Sequence, residues 1–315
     1  MSLWKTIRDA VSGDPHRDYT EGPLGRAIFM LAVPMVLETM MESLFAVVDM
    51  YWVAHLGPDA ATTVGLTESL LFILFAVALG LSIATGATIG RRIGEKNPEG
   101  AGEAAMQSLL LGLGIAVVLG GAGSYFAPQL LHAMGASDAI VASGSGYARA
   151  IYGGSGTVVL LFLLNAAFRG AGDAAIAMRV LWTANWINIF LNPCLIYGIG
   201  PFPKLGVTGS GVGTTIGRGC GVLLQLYFLS SGKSRVRIDF SKLRVIPELM
   251  GRMLSLSFGG MVQYFVGVAS WIALVRMNAT FGTTAVAGYT IALRVIMFAL
   301  LPSWGVASAA ATMVG

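Results

Sequence analysis

The sequence predicts an all-α integral membrane protein with about eight transmembrane helices, and three observations carry that prediction. The first is composition: of 315 residues 55% are hydrophobic and only 11% are charged, against about a quarter charged in soluble domains. Mean hydropathy is +0.74. The second is length. Apolar runs at 28–55, 61–89, 104–126, 147–168, 178–198, 209–230, 254–278 and 284–315 match the roughly 20 residues that cross a hydrocarbon layer of about 30 Å. The third is where the cations fall. Of 20 Lys and Arg, fifteen lie before the first span (Lys5, Arg8, Arg17, Arg26) or in alternate loops: Arg91, Arg92 and Lys96; Arg169 and Arg179; Lys233, Arg235, Arg237, Lys242, Arg244 and Arg252. The positive-inside rule then puts the N terminus and these loops in the cytoplasm. The net charge of +4 is topology and not a nucleic-acid footprint.

Taken in order, residues 1–26 form a cytoplasmic segment with a short amphipathic helix at Leu3–Val11, anchored at the interface by Trp4. Its polar sequence has no apolar core and is no cleavable signal. The first span, LAVPMVLETMMESLFAVVDMYWVAHLG, holds Glu38, Glu42 and Asp49 in its interior. At about 100° per residue Glu42 lies about 40° from Glu38, and Asp49 about 20°, so the three carboxylates share one stripe. A carboxylate facing lipid costs a few kcal/mol even on the mildest scale, so the stripe faces protein or water. Pro34 near the start frees a backbone carbonyl and offers a bend. The second span adds Glu68, about two turns into the outer half, as a candidate for the same acidic surface, and then the packing run GLSIATGATIG.

Residues 127–144 are broken by Pro128 and small residues and are expected to lie along the outer interface. The fourth span ends in LNAAFRGAGDA, where Gly170 and Gly172 break the helix and Arg169 and Asp173, four apart, are placed to pair. The fifth places Asn185, Asn188 and Asn192 in hydrocarbon beside Pro193, and such amides must bond across helices or to a ligand. The sixth offers the hydroxyls of Thr214 and Thr215 on a glycine-rich face, and the seventh carries Gln263 where the first carries Glu38. Cys194 and Cys220 read as apolar packing residues. His16, His55 and His132 are far apart in sequence and depth and argue no metal site.

A shift of 225 residues sets Gly57 on Gly282, Ala60 on Ala285, Gly80 on Gly305, Ala84 on Ala309 and Gly90 on Gly315. The first two spans thus recur as the seventh and eighth, as parallel repeats about an axis normal to the membrane. The expected division is a first six-helix lobe over 27–231, a cytoplasmic linker over 232–250 and, over 251–315, the first two helices of a second lobe that is apparently truncated.

VPMVLETMMESLFAVVDMYWVAHLG, GLSIATGATIGRRIGEKN, LNAAFRGAGDA and NIFLNPCLIYG together resemble the multidrug and toxic compound extrusion (MATE) family of secondary transporters. The resemblance implies a twelve-helix, two-lobe carrier around a V-shaped cavity, exporting amphipathic or cationic compounds in exchange for H⁺ or Na⁺, with no other cofactor. It implies that Asp49 is the helix-1 coupling aspartate, that Asn188 belongs to the same site, where Na⁺ would sit, and that Thr214 matches a helix-6 threonine. One branch has Asp where this chain has Asn192, and a helix-7 glutamate of another branch is absent, Gln263 being the nearest candidate. Coupling then rests on Asp49 with help from Glu38, Glu42 or Glu68. On this reading, cation binding at Asp49 completed by Asn188 and Asn192 shifts the first helix, around Pro34, to release drug outward.

Two rivals stay open. A structural Asp49 would pair with an in-helix arginine such as Arg149 or Arg294, and a lipid-linked oligosaccharide flippase would share the two-lobe layout but would want Arg and Lys where this chain has acid. No nucleophile–base pair or metal cluster argues for an enzyme, and no polar constriction for a channel. The expected setting is a bacterial inner membrane, as a monomer.

Overall fold

The computed structural model describes residues 3–13, 23–242, 244–279 and 283–314, and among these every regular element is helical. α1 (Leu3–Ser12) is the short amphipathic helix, with Trp4 exposed. α2 (Leu24–Ala54) is one helix of 31 residues with Pro34 inside it. It is followed by α3 (Pro58–Leu70), α4 (Phe72–Gly94), α5 (Pro98–Tyr125), α6 (Ala127–Ala133), α7 (Asp138–Gly153), α8 (Ser155–Gly170), α9 (Ala174–Tyr197) and α10 (Val207–Ser230). A single 3-10 turn at Phe240–Lys242 precedes α11 (Pro247–Ala279) and α12 (Thr283–Val314). Six of the described helical stretches are long and apolar enough to cross a membrane: α2, α4, α5, α7 with α8, α9 and α11.

Two expectations about single spans need correction. The second span is two helices meeting at Leu71, although Leu71 N–H still bonds to Thr67 O and Phe75 N–H to Leu71 O. The hydroxyls of Thr62, Thr63, Thr67 and Ser69 all bond back to carbonyls four residues earlier, a habit that bends helices. Residues 138–144 are not a piece apart from the fourth span. They open α7, which Ser137 caps through Ile140 N–H, and α7 continues into α8 across Gly154.

Within a bilayer, helices associate by close packing and polar contacts because lipid is as apolar as a side chain. The interior accordingly mixes tight alanine and glycine faces with aliphatic clusters. One cluster gathers Ile89, Leu164, Phe168 and Leu181 with Val236 and Ile238 of the segment after α10. Another gathers Leu74, Leu81, Leu163 and Ile196. That segment is tied down by buried Gln107, whose amide donates to Arg244 O at 2.7 Å and accepts from Ile246 N–H at 2.9 Å.

The contacts of the last two helices follow the 225-residue shift. A Cβ on Gly80 of α4 would stand 2.6 Å from Met261 Cγ and 2.7 Å from Ser257 O of α11. The shift carries Gly80 onto Gly305 and Val36 onto Met261, and a Cβ on Gly305 of α12 would stand 2.5 Å from Val36 Cγ2. Ala309 likewise packs with Leu31, Ala32 and Met35 of α2. The matched Gly282 and Gly315, and the side chain of Ala285, lie outside the described residues. Gly80→Val should destabilise the protein by about 1–3 kcal/mol, since its obstacle is backbone that cannot swing away. Gly305→Val should act in the same direction, and thermal unfolding of the purified protein checks both.

Candidate functional site

The stripe expected on the first span faces α9, α10 and the end of α8, and each of its carboxylates meets a partner there. At the end nearer the α2–α3 turn, Asp49 accepts a hydrogen bond from Ser210 Oγ at 2.9 Å and another from the amide of Asn192. One step further along, Asn188 donates to Thr214 Oγ1 at 3.0 Å, both buried. Next, Glu42 accepts from Asn185 Nδ2 at 3.1 Å through one oxygen, and the other faces Arg218 Nη2 at 3.4 Å. At the basic face, Glu38 is paired with Arg169 Nη1 at 2.9 Å. Four helices, α2, α8, α9 and α10, thus form one polar ladder whose ends, Asp49 and Glu38, are about 16 Å apart along α2 at 1.5 Å per residue.

Local sequence explains the alignment. Asn185, Asn188 and Asn192 fall on one face of α9 at three- and four-residue spacing, as do Ser210, Thr214 and Arg218 on α10. Gly213 and Gly217 let α10 approach, for a Cβ at Gly213 would lie 2.1 Å from Asn192 Oδ1. Ser210 and Arg218 were missed by sequence reasoning, though the i, i+4, i+8 series through Thr214 and the lone charge in an uncharged helix marked them.

The rungs differ in charge. Glu38 and Glu42 hold arginines, whereas Asp49 has only neutral donors among the described residues. Asn188 Oδ1 and Asn192 Oδ1, both buried, lack a hydrogen-bond partner among the described residues. A carboxylate beside two free amide oxygens and two hydroxyls is a hard-oxygen donor set that suits an alkali cation, or a proton on the carboxylate.

The other expected residues divide. Glu68 is exposed on α3, in Coulombic range of Asp49 and Arg218 but hydrogen-bonded to neither among the described residues. Gln263 is exposed on α11 with no bond to the ladder among the described residues. Pro34 is buried in α2, two helical turns or less from Glu38. The expected Arg169–Asp173 pair does not form. α8 ends at Gly170, Gly172 turns the chain at φ +82°, and the two side chains part. Arg169 reaches α2, while its carbonyl accepts from Thr312 Oγ1 of α12 at 3.1 Å. Asp173 accepts from Ser234 Oγ and Arg235 N–H, both at 2.8 Å.

The structural rival for Asp49 also changes. Arg149 is exposed on α7 and the side chain of Arg294 lies outside the described residues, so the arginine near Asp49 is Arg218.

Burial pushes the Asp173 carboxyl above its ordinary value of 3.8, and the Arg235 N–H, the Ser234 hydroxyl and the charges of Arg235 and Arg179 offset this only in part. The native protein therefore holds this proton more tightly than the unfolded chain. This site's contribution to stability is fully present below 3.8 and is lost as pH rises through the raised native value. Asp173→Asn should flatten that part of a melting-temperature profile against pH.

Fold and site define a polytopic helical membrane protein with an acidic ladder built from four helices of its first 230 residues. The chain belongs to the MatE family, whose description matches residues 34–194. It is 28% identical to the probable multidrug resistance protein YoeA of Bacillus subtilis over 88% of this chain and 61% of that protein. It is 27% identical to the probable multidrug resistance protein NorM of Thermotoga maritima over 92% of this chain and 62% of that one. A solved structure described as the outward-facing conformation of a multidrug resistance MATE family transporter superposes with a TM-score of 0.81 at 28% identity, covering 98% of this chain and 66% of that one. The chain thus spans about three-fifths of the length of these curated relatives.

Proposed function

We propose that the protein is a secondary antiporter that exports amphipathic or cationic toxic compounds in exchange for H⁺ or Na⁺, with Asp49 as the group both cations visit. The observation that carries this reading is the contrast within the ladder: two of its three carboxylates hold arginine, and Asp49 alone is held by neutral donors beside two unpartnered amide oxygens. Asn188, Asn192, Ser210 and Thr214 complete the coordination, and Glu68 adds negative potential. The relatives' multidrug names support the cargo class. Asp49 binds the driving cation from outside, α2 shifts near Pro34, and cargo leaves.

In this proposal residues 27–231 form the first lobe, 232–250 a cytoplasmic linker and 251–315 the opening of a second lobe, as the exchanged contacts of Gly80 and Gly305 support. The basic face lies in the cytoplasm of a bacterial inner membrane, and the working unit is a monomer without nucleic-acid partner. Oligosaccharide flipping is disfavoured because the ladder carries three carboxylates to two arginines. In proteoliposomes, ethidium should leave against its gradient when Na⁺ or H⁺ is imposed separately across the membrane, and one of the two should suffice. Ethidium movement independent of both gradients would defeat the antiport reading.

A further inference from the structure

Arg218 is the single charged residue of α10, and it lies in the ladder. Its side chain is only 13% exposed, on the α10 stripe that also presents Ser210 and Thr214. The guanidinium lies over the Phe45 ring at 5.8 Å, and Phe45 stands between Glu42 and Asp49 on α2. Its contact with Glu42 is a single long one at 3.4 Å, and Glu42 keeps Asn185 on its other oxygen. Asp49 and Glu68 both lie within its Coulombic range. A bidentate clamp would fix an arginine for structure, whereas a single loose contact leaves a positive charge between two acids.

We infer that Arg218 is a tethered cation that sets the affinity and valence of the site at Asp49, by neutralising Glu42 so that one carboxylate is left to receive a singly charged guest. This rests on the proposed role of Asp49. With Glu42 satisfied, the ladder itself is left with one unpaired carboxylate at Asp49, to which exposed Glu68 adds only potential from a distance, enough to hold a monovalent inorganic or organic cation and weak enough to release it. Without Arg218, Glu42 and Asp49 would act together, holding cations tightly and favouring doubly charged ones. Without Glu42, the guanidinium would be free to turn toward Asp49 and compete with the guest.

Ethidium and its doubly charged analogue propidium separate charge from shape, and their fluorescence on binding reads affinity for the purified full chain. Arg218→Gln should tighten ethidium by about tenfold and propidium by about a hundredfold, because Coulomb energy scales with the guest's charge. Arg218→Lys, which keeps the charge, should shift both far less. Glu42→Gln should weaken both, propidium more, and stands as the second test if Arg218→Gln folds poorly. If the propidium-to-ethidium ratio stays at its wild-type value in Arg218→Gln and Glu42→Gln while Asp49→Asn loses binding, the role of Arg218 is overturned and that of Asp49 stands. Binding that survives in Asp49→Asn removes the underlying reading itself.

Discussion

Replacing Asp49 with Asn is expected to reduce export of an amphipathic cation to background while the protein still inserts and melts close to wild type. The substitution keeps the shape and an acceptor oxygen for Ser210, so the packing of α2 on α10 loses little. What it removes is the charge, together with the capacity to take up and lose a proton. In a site enclosed by protein and hydrocarbon that charge is what attracts a cation, since Coulomb attraction is several times stronger there than in water. The ladder's other two carboxylates each already face an arginine, Glu38 at 2.9 Å from Arg169 and Glu42 at 3.4 Å from Arg218. Efflux of ethidium from vesicles, with membrane yield measured in parallel, checks this. Export retained in Asp49→Asn would assign coupling elsewhere.

Replacing Arg169 with Met should be the most damaging single change to stability within the ladder, by about 3–5 kcal/mol. Glu38 is 8% exposed, its Oε2 already has no hydrogen-bond partner, and Arg169 is its one ion pair among the described residues. Removing the arginine strands a carboxylate between α2 and α8. The double substitution Glu38→Met, Arg169→Met should recover most of the loss, because a buried ion pair and a well-packed apolar pair of similar size are often close in energy. Thermal unfolding of the purified single and double variants gives both numbers. Equal melting temperatures for the two would mean that the stranded charge is not what matters. The Thr312 hydroxyl bond to the Arg169 carbonyl uses backbone and should survive either change.

Much of this was legible in the residues because helical periodicity is a strong signal when charges are costly. Glu38, Glu42 and Asp49 at spacings of four and seven had to share a face, and three asparagines on the fifth span had to find partners. What could not be read was which partner each would take. Arg169 and Asp173 are four apart, but Gly172 ends helical geometry between them, so a pairing rule that presumes a continuous helix failed there. Arg218, like Arg149 and Arg294, is an arginine within an apolar span, and a single sequence does not say which helix will sit opposite. Leu71 and Gly154 divide spans whose hydropathy is continuous, because the causes are threonine hydroxyls bonding backwards in one case and a mid-helix glycine in the other.

The measurement closest to the central claim is infrared difference spectroscopy of the purified protein in lipid on exchanging the driving cation, Na⁺ against an inert cation or one pH against another. A carboxylate band that responds to the exchange is expected in the wild type, in Glu38→Gln and in Glu42→Gln, and is expected to vanish in Asp49→Asn. The same band persisting unchanged in Asp49→Asn would show that this aspartate is not where the cation binds.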